Sequence, residues 1–306
     1  MKKDLRVLVF IALAALAATC SLASTGCRAR SPEESVLPGG ETGGDSMPGD
    51  DLFREALQVM RGDISYRVSG ELDLEFQIPS ASLAKTGPPY FSAPAGIPYE
   101  AFHLSKAGKS ASKAVLYTDR MAVDENVPSS LLPLETGNAF FLVDGVYYWE
   151  DRSGWHSEPY DPVEAMLRLN QRGLMPEDIL NWLIYAESVE VVSEEAGSVG
   201  YQVKLGEKYL QGLKAQAQEA LSGEALEESL YTLQAVEKLL TSANILVVVE
   251  KATKRISEVQ FGYQGYFSDM VKGLPEDSPL KDLGFFYSSF LVYGDYGSAF
   301  EIQPPI

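Results

Sequence analysis

The chain has 306 residues, 45% of them hydrophobic and 22% charged, and its 25 Lys and Arg against 43 Asp and Glu leave a formal charge of −18. That composition excludes a disordered or collagen-like chain, and the length suits one large or two ordinary domains. So large an acidic excess, with no basic stripe to offset it, repels phosphate backbones and anionic headgroups, which excludes nucleic acid as a partner.

Lys2, Lys3 and Arg6 precede a run, 7–18, that contains no polar side chain. Twelve residues at about 1.5 Å each span about 18 Å, short of the roughly 30 Å hydrocarbon core, so residues 1–26 read as a signal peptide and not as a spanning helix. Export is therefore expected. Leu22-Ala23-Ser24-Thr25-Gly26-Cys27 is similar to the lipobox of bacterial lipoproteins, with Ser24 where Leu is usual. The resemblance implies that the Cys27 thiol carries a diacylglycerol, which makes a membrane the partner and the extracytoplasmic cell envelope the location. Two acyl chains at about 0.8 kcal/mol per buried CH₂ give stable anchoring where one is marginal. The alternative is ordinary cleavage near Ala23 or Gly26, leaving a free thiol; Cys20, after the larger Thr19, is a poorer lipidation candidate. Beyond residue 26, Cys27 is the only Cys, so the folded part has no internal disulfide and relies on its core. Removing residues 1–26, with three basic and one acidic side chain, takes the net charge from −18 to −20. Residues 27–50 hold the anchor and a flexible tether rich in Pro, Gly and acidic residues, spanning about 25 Å.

A helix is predicted over 51–60, where Leu52, Phe53, Ala56, Leu57, Val59 and Met60 fall mostly on one face and Asp50 or Asp51 is available as N-cap. Over 64–78 every even position is apolar or Gly (Ile64, Tyr66, Val68, Gly70, Leu72, Leu74, Phe76, Ile78) and every odd one is polar. This alternation predicts a long antiparallel strand of about 50 Å with one wet face, and Gly70 at its centre as a place to bend. The Pro-rich stretch that follows reads as a loop, and strands are predicted over 99–105 and 112–123. Residues 138–159 read as a meander turning at Asp144-Gly145 and at 151–154. Its strands are apolar on both faces, so a covering layer is expected on the second face. Helices over 162–171, with Asp161 as N-cap, and 176–186, with Pro176 in the first turn, come next. A hairpin over 189–192 and 199–205, helices over 208–221 and 225–240, a hairpin over 245–250 and 256–263, and a strand over 285–293 complete the order. In the helix over 225–240, Leu226, Leu230, Leu233, Val236 and Leu240 form the expected core face. The order is α+β, without βαβ alternation or a solenoid period, and predicts a single domain over 51–306.

Catalytic motifs give little. S-x-x-K occurs at Ser82 and Lys85 and at Ser110 and Lys113, and Lys85-Thr86-Gly87 supplies K-T-G. Serine acylases place the nucleophile on a helix and K-T-G on a separate strand, so motifs sharing Lys85 cannot assemble one site. There is no G-x-S-x-G, H-E-x-x-H, Walker loop or paired C-x-x-C. His103 and His156 are the only His and neither has a second His or Cys nearby, which argues against an imidazole metal centre. Glu71, Asp73 and Glu75 share a strand face and have the oxygen chemistry of a Ca²⁺ site, although a solvated outer face accounts for them as well. No cofactor, metal or catalytic residue is expected, and the chain reads as a non-enzyme.

With Cys27, the opening helix and long strand, Val146-Tyr147-Tyr148-Trp149 to Gly154-Trp155, and the late hairpin from Val248 to Ile256, the chain resembles the lipoprotein carrier superfamily: the LolA-like proteins and their anchored relatives of the LppX and LprG kind. Glu250 stands where those relatives often carry Asp. The resemblance covers 51–263 and implies a curved half-barrel antiparallel sheet with helices covering its concave face. An apolar cavity for a lipid-like ligand is implied between them. Its expected lining is Leu72, Leu74 and Phe76 on the sheet and Leu180, Leu183, Leu213 and Leu230 on the helices. The same residues would equally fill that space as a solid core, which would make the protein a structural or partner-binding envelope lipoprotein; an enzyme without a legible signature is the third class.

Overall fold

Helix α1 (Asp51–Arg61) opens the folded part, capped by Asp50, whose Oδ1 accepts from the Phe53 N–H at 3.0 Å. It buries Phe53, Ala56, Leu57 and Met60 of the expected face, while Leu52 and Val59 are half-buried at its margins. The structure, a computed structural model, describes residues 49–79, 90–120, 122–123, 139–151, 153–167, 175–266, 268 and 282–305. Cys20, Cys27 and most of the tether lie outside the described residues, as do Ser82, Lys85, Thr86 and Gly87.

Strand β1 (Ile64–Pro79) sits at the centre of one sheet. From it the chain steps outward through β2 (Tyr90–Lys106), β3 (Lys109–Leu116), β5 (Ala139–Val143), β6 (Val146–Asp151) and β7 (Gly154–Pro159) to one edge. It resumes at the opposite edge with β8 (Ser188–Glu194) and returns through β9 (Ser198–Lys204), β10 (Asn244–Glu250) and β11 (Arg255–Tyr266) to β12 (Gly284–Gly294), which pairs with β1. The short β4 (Ala122–Val123) pairs with β2 off this path. The sheet is antiparallel and open, with β7 and β8 as its unjoined edges. Helices α2 (Pro162–Leu167) and α3 (Pro176–Ile184) belong to the crossover between those edges, while α4 (Glu207–Ala220) and α5 (Glu224–Leu240) are inserted between neighbours β9 and β10.

Alternation along β1 divides the sheet into two unlike faces. Tyr66, Val68, Leu72 and Leu74 are buried, while Glu71 and Asp73 are exposed. Tyr287, Leu291 and Tyr293 of β12 continue the buried side; Phe286, Phe290 and Val292 emerge on the other. Residues of α1, α3 and α5 pack on the buried side. Trp182 of α3 lies with its ring 4.1 Å from that of Phe261 on β11. Phe53 of α1 is 5.1 Å from Tyr201 on β9, and Leu239 of α5 packs at Gly265. Sheet and helix residues thereby form one hydrophobic cluster. Each large apolar side chain in it contributes about 2 kcal/mol of transfer free energy, several times an exposed ion pair, so this inner layer holds the fold.

Several expectations are corrected. Strand β2 starts at Tyr90, inside the stretch read as a Pro-rich loop. Pro98 carries its carbonyl toward the Tyr117 N–H, away from β1, and Pro94, four residues earlier, has the same orientation. Their missing donors therefore face away from β1, and the ladder to the central strand loses none. The strand read over 112–123 is broken: β3 ends at Leu116, a 3₁₀ turn occupies Thr118–Arg120, and β4 follows. Gly70 is required by a close approach: a Cβ there would lie 2.0 Å from the Phe290 carbonyl oxygen. In the meander, Asp144 and Gly145 both have positive φ, the turn their sequence predicts. The outer aromatics there cover one another, Phe141 meeting Trp155 edge-on at 5.7 Å with Lys113 Nζ 5.5 Å from the Phe141 ring centre. On α5 Val236 and Leu240 of the predicted face are buried, Leu226 and Leu233 pack half-buried against the core, Leu230 is half-buried, and Ser229 and Leu239 extend the buried side beyond the prediction.

Candidate functional site

The residues expected to line a pocket are brought together in part. Leu72, Leu74, Leu183 and Leu213 are all at most 2% exposed and belong to the same core cluster. Leu180 is half-buried against that cluster. Leu230 is half-buried on α5. Phe76 pairs through its backbone with Ala93 and Phe285, and its side chain lies outside the described residues. A surface groove of about 560 Å³ runs past Gln58, Asp63, Ser65, Lys106 and Arg255, at the end of β1 that adjoins α1, and includes none of these positions.

What sequence reasoning missed is a polar seam inside the apolar layer, where the first turn of α3 meets the sheet. Ser112 of β3 is fully buried, and its hydroxyl donates to Glu177 Oε1 at 2.7 Å. His103 of β2 places Nδ1 2.8 Å from the same hydroxyl oxygen and 3.4 Å from Glu177 Oε1. With the Ser112 proton directed at the carboxylate, His103 donates from Nδ1. The next residue, Asp178, accepts from the Met175 N–H at 2.8 Å and from the Tyr160 hydroxyl.

Not every polar atom of the seam is paired. Glu177 Oε2, the hydroxyls of Tyr99 and Tyr287, and Ser289 Oγ are buried without a hydrogen-bond partner. Tyr99 lies opposite Gly70 of β1, Ser289 opposite Leu72 and Tyr287 opposite Leu74, so the three belong to the central strands. Burial, then Tyr293, Tyr287, Asp178 and Glu177, pushes the Tyr99 hydroxyl well above its ordinary pKa. Burial, then Tyr263 and Asp178, does the same to Tyr287. For Tyr66, whose ring lies 4.8 Å from that of His103, the causes are burial, then Tyr293 and Glu177. These phenols therefore remain protonated, each feeling the charge of one or both carboxylates of α3.

Chemically, the cluster of Ser112, His103 and Glu177 combines donors and acceptors. It lacks the order of a catalytic triad, in which the imidazole sits between nucleophile and acid; here Ser112 sits between His103 and Glu177 and has no accessible surface. Ser110 and Lys113 lie three apart on β3 and so project from opposite faces. His156 stacks on Trp149 at 5.3 Å in the meander, with Nε2 2.9 Å from Ser153 Oγ. On the outer face, partial burial and then Glu71 raise the Asp73 carboxyl, and Gly96 leaves room for the Glu71 carboxylate, which a Cβ would meet at 2.2 Å. Among the described residues no three side chains of metal-ligating type converge.

A sequence signal for the seam existed in part. His103 shares its parity with Ile97, Tyr99 and Ala101, which places an imidazole on an otherwise core-facing run. Glu177 and Asp178 carried no such signal, because acidic residues in a first helical turn are ordinary. No known protein family matches the sequence, and no curated protein is significantly similar to it.

Proposed function

We propose that the protein is a lipid-anchored extracytoplasmic lipoprotein that takes an amphiphilic, lipid-like ligand between its sheet and its helices. The observation that carries this reading is the seam: an apolar inner layer interrupted by buried polar atoms without partners, the combination a molecule with an apolar tail and a polar head requires. A curved half-barrel with helices over its concave face is the finer architecture that goes with it. That architecture is supported by a sheet buried on one side and wet on the other along its central strands. The lipobox-like segment ending in Gly26-Cys27 supports the anchor.

A second reading has an observation of its own. The near-zero exposure of Leu72, Leu74, Leu183 and Leu213 favours a solid core and an envelope scaffold that binds a protein partner.

Native mass spectrometry and organic extraction of the chain carrying Cys27→Ser, followed by uptake of a fluorescent acyl probe by delipidated protein, separate the two. Bound lipid or saturable uptake is expected for a carrier; neither leaves the scaffold. Fractionation tests the anchor: Cys27→Ser should move the protein from membranes to the soluble fraction, and retention after a high-salt wash would place the attachment elsewhere.

A further inference from the structure

We propose that the groove at the end of β1 is a binding site for an organic oxyanion, a carboxylate or phosphate carried on a small apolar body and held by Lys106 and Arg255. The groove is built from the last turn of α1, the start of β1, the end of β2 and the start of β11, and its volume of about 560 Å³ is that of a small-molecule site. It includes none of the residues expected to line the carrier pocket, so the inference goes beyond that reading and does not depend on it.

Charge sets this groove apart. In a chain of net charge −18, its described lining carries two cations and a single carboxylate. Lys251 and Lys254, on the turn that leads to Arg255, are paired with Glu194 at 2.9 Å and with Glu55 at 3.0 Å. Arg255 has no acidic partner among the described residues: Glu250, opposite it in the ladder, accepts from the Thr253 hydroxyl at 2.8 Å. Its guanidinium lies over the Tyr296 ring, 4.8 Å from the ring centre, and the Tyr296 hydroxyl donates to the Ile256 carbonyl at 2.6 Å. The planar donors of Arg255 are therefore oriented before a ligand arrives, which lowers the ordering cost of binding.

Lys106 likewise has no acidic partner among the described residues, and Lys109, its partner across the hairpin, adds to the local positive potential. The groove's carboxylate, Asp63, accepts from the Ala107 N–H at 2.8 Å. A guanidinium fork and an ammonium match the oxygens of a carboxylate or phosphate. Val59, Ile64 and Leu104, all half-buried, supply apolar wall for the body that carries it.

The test titrates the chain carrying Cys27→Ser with hexyl phosphate, hexanoate, inorganic phosphate and hexylammonium at low ionic strength, by calorimetry and by backbone amide shifts at Ser65 and Gly297. Hexyl phosphate and hexanoate are expected to saturate at one molecule per chain and to move both amides, with inorganic phosphate severalfold weaker for want of an apolar body. Arg255→Gln should weaken hexyl phosphate about tenfold, and Arg255→Lys, which keeps the charge and loses the fork, by less. Lys106→Gln should weaken it severalfold. Asp63→Asn keeps an acceptor for the Ala107 N–H, removes the like charge and should tighten binding. Lys204→Gln changes the net charge equally, at the far end of the β9 and β10 pair, and should leave binding unchanged. Sedimentation with phosphatidylglycerol vesicles that is lost in Arg255→Gln assigns the phosphate to a lipid head; hexyl phosphate binding without sedimentation assigns it to a free oxyanion. Equal binding of hexylammonium, weakening by Asp63→Asn, or affinity that survives both Arg255→Gln and Lys106→Gln overturns the site. Failure of every anion to bind overturns it too and leaves the carrier reading to its own long-chain acyl probe.

Discussion

The Ser112 hydroxyl donates to Glu177 Oε1 at 2.7 Å, tying β3 to the first turn of α3 across an otherwise apolar layer. Removing that donor by Ser112→Ala leaves the buried carboxylate poorer by one hydrogen bond where water does not replace it. A loss of about 1–3 kcal/mol is expected in urea unfolding. Ser110→Ala, at a half-buried position of the same strand, should stay within about 0.5 kcal/mol. Equal values for the two would mean that Glu177 finds another donor.

The parity of β1 makes a sharper contrast. Leu72 is 1% exposed and Glu71, one residue away, faces solvent. Leu72→Asp is expected to cost several kcal/mol, because an unpaired charge would enter the cluster, while Glu71→Lys should remain within about 0.5 kcal/mol. Similar chemical-denaturation midpoints for the two variants would contradict the register in which Leu72 lies between Ile97 and Ser289.

These two examples also mark how far the sequence was legible. The alternation over 64–78, the Asp50 and Asp161 caps and the Asp144-Gly145 turn were readable because each is decided by residues a few positions apart. The start of β2 was not, since Pro94 and Pro98 argue against a strand unless it is known which side their missing donors face. The seam was legible only at His103. Its contacts join residues 103, 112 and 177, which chain topology alone brings together, and nothing local distinguishes Ser112 from a surface serine.

Acid should weaken the fold through Glu100. Partial burial alone would raise its carboxyl, but hydrogen bonds from Tyr117, at 2.7 Å, and from Arg67 outweigh that and hold it below the ordinary value of 4.5. A carboxyl depressed on folding contributes stability that is fully present above its unfolded pKa and is lost as pH falls through the folded one. Glu100→Gln should therefore flatten the acid limb of the stability profile below about pH 4.5. Asp73 runs the other way. Its carboxyl is raised from 3.8 by partial burial and by Glu71, so ionisation costs stability above the folded pKa. Asp73→Asn should raise the melting temperature at neutral pH and give no gain well below pH 3.8. Parallel profiles for wild type and both variants would show that neither carboxyl is coupled to folding.

Two glycines in unlike surroundings test the central strand pairing. At Gly70 a Cβ would lie 2.0 Å from the Phe290 carbonyl oxygen, a backbone atom of the neighbouring strand that cannot rotate away. Gly70→Ala therefore forces β1 and β12 apart within their shared ladder, and overpacking of this kind costs about 1–3 kcal/mol. At Gly197, in the turn between β8 and β9, a Cβ would meet nothing within 4 Å, and φ is not in the left-handed region. Gly197→Ala should be neutral or stabilising by about 0.4–1 kcal/mol, because the unfolded chain loses freedom that the folded one does not need. For a domain of this size each kcal/mol corresponds to about 2–4 °C in melting temperature, so the two variants should separate clearly in a thermal scan. A Gly70→Ala variant that melts with wild type would mean that β12 does not hold its close approach to β1 in solution.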